Sequence, residues 1–512
     1  MTENKKVGII GAGIAGLSAA CYLQMNGYDT DIYELHTTPG GLCTSWKRED
    51  YTFDGCIHWL MGSNPGNPFY NLWNELIKMD EIQFIHHDTL FDIEVKNHKD
   101  KYGNNIFHLY SNINQLEKYM KDIAPEDSVV IDDFIESIRE LQKWDLPPNI
   151  EKAPELLSIS EKLKMLKLYP FLKYVKKWKD FLISDLAGVF KNPFIRDAFL
   201  LGTGELDFSI LVLTMQLANF DKKTTGYPIG GSMVISRALE EKFISLGGNI
   251  HYKSKVQKII VEDNTATGVI LENGEKIHSD YVISAADGKF TIFEALEGKY
   301  VSEKLLKLYN EQDPYEIFNS GILVSLGVAK RFDNPTHQIR FELDEPYLLP
   351  DGTNIKTMDY SDYYYDPTLA PPGKSVLNVL LITYKCDYWE SLRKRDKKQY
   401  NKEKNGVAEK VINILDKKLS GLKESVEVID VATPATFKRY TNNWNGSIQG
   451  WMPPADFLAV KSVGKELPGL KNFYMIGQWV TPGGGLPPAI LDGRNVAQII
   501  CKRDKTKFKV NF

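Results

Sequence analysis

Residues 6–34, KVGIIGAGIAGLSAACYLQMNGYDTDIYE, open on a short apolar run of Val7, Ile9 and Ile10, then a glycine-rich turn, then apolar positions at helical spacing, Leu17, Ala20 and Leu23. A turn at Gly27 leads into a second strand-like stretch that closes at Glu34. The pattern predicts strand, helix and strand, one β-α-β unit. A related pattern fills residues 226–287, where Leu239, Phe243 and Leu246 mark one helix face and Gly247-Gly248 stops the helix. Alternating residues then mark strands separated by turns at Asp263-Asn264 and Asn273-Gly274. Residues 472–503, NFYMIGQWVTPGGGLPPAILDGRNVAQIICKR, predict a strand ending at Gly477, a glycine-rich loop and a helix from about Pro488.

Three other stretches have distinctive patterns. From Pro170, PFLKYVKKWKDFLISDLAGVF puts Phe171, Val175, Trp178 and Leu182 on one helical face and Lys173, Lys176 and Lys177 on the other. A helix lying in a membrane interface has this pattern, and so does one that covers a protein core with solvated lysines. The run LRKRDKKQYNKEKN from Leu392 lacks such an apolar face and predicts a solvated helix. Tyr360, Tyr363, Tyr364 and Tyr365 could wall an apolar pocket, but the interleaved Asp359, Asp362, Asp366 and Pro367 argue more for an exposed loop.

A chain of 512 residues exceeds one ordinary core, so two or more packed units are expected. The net charge of -5 supplies no global attraction for nucleic acid. The five cysteines, Cys21, Cys43, Cys56, Cys386 and Cys501, are scattered without zinc-ligand spacing, which predicts no metal site and a reducing, cytoplasmic setting. Gly11, Gly13 and Gly16 interrupt the apolar stretch from Val7 to Leu23, so it reads poorly as an export signal. No stretch approaches the ~20 apolar residues of a membrane-spanning helix, and any membrane contact is expected to be peripheral, on the inner face.

Gly11, Gly13 and Gly16 form G-x-G-x-x-G between a strand and a helix. The first glycine permits the turn, the second lets backbone approach a pyrophosphate, and the third lets helix and strand pack closely. The amides around Ile14 and Ala15, at the helix start, then hold the anion. Glu34, 18 residues past Gly16, is placed to accept hydrogen bonds from a ribose. Thr30 stands where the second strand usually has an aliphatic residue. This fingerprint is common to NAD and FAD sites.

Residues 37–62, TTPGGLCTSWKREDYTFDGCIHWLMG, carry Gly40-Gly41, then Leu42 and Thr44, then Phe53-Asp54-Gly55 leading to His58. This segment resembles that of the large flavoprotein group comprising amine oxidases, phytoene desaturases, carotenoid isomerases and retinol saturases, in which it runs back along FAD. The resemblance implies FAD as cofactor, with Gly40, Gly41, Leu42 and Thr44 beside it. Relatives usually place glycine two residues after the aspartate; here Cys56 holds that place and Gly55 stands next to it. In the same group the block at 226–287 returns the chain to the FAD domain, and Val256 matches a strand position whose backbone touches the adenine. The final block resembles the C-terminal motif of phytoene desaturases and carotenoid isomerases, which places Gly477, Gln478, Gly485, Leu486 and Pro487 near the flavin. Gln478 replaces an acidic residue often found there.

The implied fold is α/β, a Rossmann-like FAD-binding domain of residues 1–95, 221–299 and 446–512. It is interleaved with an α+β substrate-binding region of 96–220 and 300–445 that includes the basic amphipathic helix. No second G-x-G-x-x-G follows a plausible strand, so no nicotinamide domain is expected. The implied activity is desaturation or saturation of carbon-carbon bonds in an apolar polyene, carotenoid, retinoid or related lipid, with an electron acceptor or donor that the sequence does not identify. Non-redox isomerisation, amine oxidation and a flavin-bearing regulator without turnover are the other readings. His58 is the candidate catalytic group, as the titratable side chain nearest the segment expected at the flavin. A structural histidine bonded to backbone is the alternative.

Overall fold

The computed structural model describes residues 4–144, 150–164, 169–178, 180–204, 207–332, 336–453 and 461–510. Strand β1 (Lys6–Ile10) is buried from Val7 onward, as a strand covered on both faces must be. Helix α1 (Ile14–Met25) follows, and strand β2 (Asp29–Tyr33) returns parallel to β1 with Val7 opposite Thr30. Three later strands complete the sheet: Asn249–His251 pairs with β2, Tyr281–Ser284 pairs with the free side of β1, and Phe473–Met475 adds the last strand. All four pairings are parallel. One sheet is thus assembled from three distant stretches of chain.

The last helix, Leu486–Arg503, lies so close to α1 that a Cβ on Gly493 would stand 2.6 Å from the Ala19 nitrogen. Only glycine permits that approach. Thr30, the polar departure in β2, is fully buried and donates from Oγ1 to Gln24 Oε1 at 2.6 Å. A Thr30→Val variant should therefore lose ~1 kcal/mol of stability in urea denaturation, the ordinary net value of a buried hydrogen bond.

The second sheet has seven strands in the order Val426–Ala432, Ser320–Val328, Ser375–Thr383, Asn354–Asp362, Gln338–Leu348, Thr89–Glu94 and Ile106–Tyr110. It is antiparallel except where Gln338–Leu348 meets Thr89–Glu94. The last two strands straddle the division expected at residue 95. A helical core built on Ile113–Ile123, Ser128–Gln142 and Ile210–Asp221 packs beside them.

The structure corrects three local expectations. The amphipathic helix is two pieces, Tyr169–Trp178 and Ile183–Val189, with Leu182 between them. Val175 and Trp178 are buried in the helical core, and Lys176 and Lys177 are exposed, so the protein's own interior occupies that part of the apolar face. The side chain of Lys173 lies outside the described residues. The basic run at Leu392 spans two helices, Cys386–Arg395 and Lys397–Asp416, and has an apolar face after all, since Leu392 and Tyr400 are buried beside Trp389. Tyr360 and Tyr363 are buried rather than in an exposed loop. The interleaved aspartates are spent on backbone and neighbours: Asp366 accepts from the Gly230 and Thr368 amides, at 2.9 Å each, and Asp362 accepts from the Tyr364 amide at 3.1 Å and from Ser375 Oγ. A carboxylate that caps turns can be buried with its loop. Among the described residues no helix is long and apolar enough to cross a membrane.

Candidate cofactor and substrate site

Gly11 adopts φ 97°, a left-handed backbone that lets its N–H reach the Tyr33 carbonyl at 2.9 Å and closes the turn between β1 and α1. A Cβ on Gly16 would lie 2.0 Å from the Gly11 carbonyl oxygen, so the helix can sit this near its strand only with glycine there. Gly13 caps α1 without a side-chain hydrogen bond, and a Cβ on it would meet nothing within 4 Å. The first intrahelical bond is Leu17 N–H to the Gly13 carbonyl at 2.9 Å, which leaves the amides of Ile14, Ala15 and Gly16 aimed out of the helix start without intrahelical partners. Gly40 folds over this turn, its N–H bonding the Ala12 carbonyl at 2.8 Å, and Gly41 faces Gly13 across van der Waals distance. Leu42 accepts from the Thr44 amide at 2.9 Å, which turns the chain into β3 (Ser45–Arg48).

Glu34 is buried at the end of β2; its Oε2 accepts from the Ala12 amide at 2.7 Å and its Oε1 from the His36 amide at 2.8 Å. Burial pushes its carboxyl above the usual range, against the pull of those amides. Lone pairs remain on both oxygens for further donors. Val256 packs in one cluster with Ile10 and Tyr33, and the Ser254 amide bonds the Glu34 carbonyl at 2.8 Å, so this returning segment lies beside Glu34.

The C-terminal loop arrives from the other side. A Cβ on Gly477 would stand 3.4 Å from Ala15 Cβ, and the Gly477 N–H bonds Asp492 Oδ2 at 3.1 Å. Thr481 Oγ1 donates to the same oxygen at 2.9 Å, while Lys465 Nζ holds Asp492 Oδ1 at 3.2 Å and Glu155 at 3.1 Å. The carbonyl of Gln478 lies against Gly450, where a Cβ would approach it to 2.5 Å. Gly485, at φ 94°, caps the last helix, which begins at Leu486 and not at Pro488. Pro487 and Pro488 have no N–H, so this helix start offers fewer amides than its position suggested, with Leu486 the first donor.

His58 exposes much of its surface, yet burial of its surroundings holds the imidazole below its ordinary pKa, with Asp359 pulling the other way. The Trp59 ring lies 5.9 Å from it. Nearby, His337 stacks on His87 with ring centroids 3.6 Å apart and planes 11° off parallel, and Tyr365 meets His87 edge-on at 4.5 Å. Burial first, then their mutual charge, pushes the His337 imidazole far down, and burial brings His87 to about 4. Both rings are neutral at pH 7.

Asp54 ends β4 (Tyr51–Asp54) in full burial, accepting from Tyr227 Oη and the Ser232 amide, each at 3.1 Å. Burial pushes its carboxyl to about 6 from an ordinary 3.8. A carboxyl raised on folding favours the native state below its unfolded pKa and loses that contribution as pH rises through its folded one. Stability in urea should therefore fall between pH 4 and pH 6, and an Asp54→Asn variant should show a flatter profile over that window.

Sequence reasoning singled out Asp54 and Glu34 but passed over Ser232, Tyr227, Lys465, Asp492 and the pair His87 and His337, because each acts on a partner far away in the chain. Only Asp492 carried a signal, as an acid inside the final helix block. The structure brings the N-terminal loop, Glu34, Gly40-Gly41 and Gly477 together in one place. Open space at Gly13, uncapped amides and a buried carboxylate with spare lone pairs fit the pyrophosphate and ribose of FAD.

A family model described as flavin containing amine oxidoreductase matches residues 14–501. The chain is 24% identical, over 99% of its length and 98% of the relative, to a 4,4'-diapophytoene desaturase (4,4'-diapolycopene-forming) of Methylomonas sp. It is 26% identical, over 95% of its length and 78% of the relative, to a chloroplastic prolycopene isomerase of Daucus carota. It is 24% identical, over 98% and 99%, to a 4,4'-diaponeurosporene oxygenase of Staphylococcus aureus. An oxidoreductase from Methanosarcina mazei shares the fold with TM-score 0.58 at 18% identity, covering 96% of this chain and 100% of that one. Putrescine oxidase bound to putrescine shares it with TM-score 0.56 at 14% identity, covering 98% and 99%.

Proposed function

The chain belongs to the flavin-containing amine oxidoreductase family and is an FAD-dependent oxidoreductase, and from that premise we propose that it acts on carbon-carbon bonds of an apolar polyene of the carotenoid type. The observation that carries this reading is His58, an exposed imidazole 5.9 Å from the Trp59 ring and within electrostatic reach of Asp359 and His337, in the segment that follows Gly40-Gly41 and Thr44, where it can meet a substrate carbon beside the flavin. Support for the substrate class comes from the full-length relatives, named for 4,4'-diapophytoene desaturation and 4,4'-diaponeurosporene oxygenation.

Bound FAD supplies hydride transfer to or from carbon. The chain's own groups do the rest. The amides of Ile14, Ala15 and Gly16 hold the pyrophosphate, with Gly13, Gly40 and Gly41 leaving room for it. Glu34 orients the ribose, the backbone at Val256 adjoins the adenine, and Leu42 and Thr44 line the path back along the cofactor. Gly477, Gln478, Gly485, Leu486 and Pro487 close over the flavin end. His58, its imidazole held below the ordinary pKa by burial, accepts or returns one proton on a ring nitrogen. The domain division of 1–95, 221–299 and 446–512 against 96–220 and 300–445 separates these cofactor groups from the walls that select the substrate. The five free cysteines support a reducing, cytoplasmic setting, and any membrane contact, through which an apolar substrate arrives, is peripheral.

Anaerobic visible spectroscopy tests the proposal. Flavin absorbance should bleach with dithionite and return when a carotenoid-type polyene is added. Bleached flavin that no polyene reoxidises, with isomerised polyene recovered, favours a second reading, isomerisation without net redox, for which the prolycopene isomerase relative speaks. A colourless protein that takes up no FAD refutes both.

A further inference from the structure

The groups that meet at the glycine turn are backbone amides and the Glu34 carboxylate, and none of them carries positive charge. The pyrophosphate of FAD is a dianion, and Leu42, next to Gly40-Gly41, brings nothing to balance it. A cation stands nearby on the other packed unit. The helix Pro434–Thr441 starts at Thr433, whose N–H bonds Thr436 Oγ1 at 3.1 Å; it buries Ala435 in the core of the seven-stranded sheet and is pinned by Lys438 to Glu390 at 2.7 Å. Its last turn is therefore held in place. There Tyr440, 40% exposed, meets the His36 imidazole edge-on with ring centroids 4.8 Å apart. The Arg439 guanidinium lies 5.2 Å from the centroid of that same Tyr440 ring.

His36 is part of the cofactor seat. Its amide bonds Glu34 Oε1 at 2.8 Å and its Nδ1 pairs with Thr38 Oγ1 at 2.9 Å. Residues 36–40 then run from the carboxylate placed for the ribose to the glycine that folds over the pyrophosphate turn. Burial first, and then the Arg439 charge, hold the His36 imidazole below its ordinary pKa, so the guanidinium and this stretch share one electrostatic neighbourhood. Arg439 itself is exposed and, among the described residues, in no ion pair. The geometry points to Arg439 as a cofactor-binding residue, its planar fork donating to the phosphate oxygens of FAD and the Tyr440 and His36 rings setting its place. Guanidinium suits this task because its N–H groups match a phosphate bidentately and its flat face stacks on an aromatic ring. Arg439 has this role only if FAD is the cofactor, whatever the substrate. It makes FAD a tie between the two units, since the amides come from one and the guanidinium from the other.

The test titrates FAD into the full-length apoprotein and reads binding from the quenching of flavin fluorescence. Arg439→Gln should bind FAD about 10- to 100-fold more weakly than the parent, the range of one lost charge-assisted hydrogen bond. Arg439→Lys, which keeps the charge but not the fork, should fall between the two. Added sodium chloride should weaken FAD binding to the parent more than to Arg439→Gln, because salt screens an exposed cation. Urea denaturation of the apoproteins should give one midpoint for all three, since the Arg439 side chain is exposed and in no ion pair among the described residues. Parental affinity in Arg439→Gln would overturn the inference, and so would a loss of affinity that tracks a loss of apoprotein stability, the mark of a purely structural residue. If Arg439→Gln does not fold, Arg439→Lys decides: weaker binding at parental stability upholds the role, and parental affinity overturns it. A parent apoprotein that takes up no FAD overturns both this role and the cofactor itself.

Discussion

A Gly13→Asp variant is expected to fold as well as the parent protein and to bind FAD at least ~100-fold more weakly, a loss of about 2.7 kcal/mol in binding free energy. The fold tolerates the change because a Cβ at Gly13 meets nothing within 4 Å and the residue already has φ -70° and ψ 174°, which aspartate adopts without strain. Aspartate is moreover a preferred helix N-cap, worth roughly a few tenths of a kcal/mol over glycine. Its carboxylate would accept the very amides at the start of α1 that the cofactor needs, and would set a negative charge against the pyrophosphate. Stability of the FAD-free protein should therefore hold or rise while affinity collapses. Urea denaturation of the apoprotein, together with quenching of FAD fluorescence on titration, separates the two effects. Unchanged FAD affinity would remove the anion from this helix end.

The second large effect is expected at Lys465. Its ammonium and the Asp492 carboxylate are each only 6% exposed, and they meet at 3.2 Å. Lys465→Met leaves Asp492 buried with only the Gly477 amide and Thr481 hydroxyl as donors, and removing one partner of such a buried pair costs ~3–5 kcal/mol. A double variant, Lys465→Met with Asp492→Asn, should recover most of that loss. The amide oxygen still accepts from Gly477 and Thr481, and no buried charge is left. Thermal denaturation of the four proteins forms the cycle. A single variant as stable as the parent would mean that water already reaches the pair. Asp492 fixes the Gly477 amide and Thr481, so the single variant should also broaden the flavin absorbance band through a loosened cofactor loop.

What the chain determined by itself was local and periodic. The β-α-β unit at residues 6–34 is written in adjacent positions, because the glycine turn, the helix face and the acid at the strand end need no partner from elsewhere. The turns at Asp263-Asn264 and Asn273-Gly274 were legible for the same reason, each residue choice answering a backbone conformation on the spot: φ 47° and 58° at the first turn and 85° at Gly274. The amide supply at Gly485 was overestimated because the two prolines that follow it remove donors from the helix start.

Tertiary structure decided everything that depends on two distant partners. Aspartates between tyrosines read as solvent-exposed until Gly230 and Ser375 appear as their partners. The apolar stripe at Phe171, Val175 and Trp178 had no means of announcing whether lipid or protein covers it; the helical core took Val175 and Trp178. Lys465 pairs with Asp492 and His87 stacks on His337 only because the fold brings those segments together. Periodicity records which face of an element is apolar, whereas the cost of burying a charge, a thiol or an imidazole depends on what the rest of the fold sets against it.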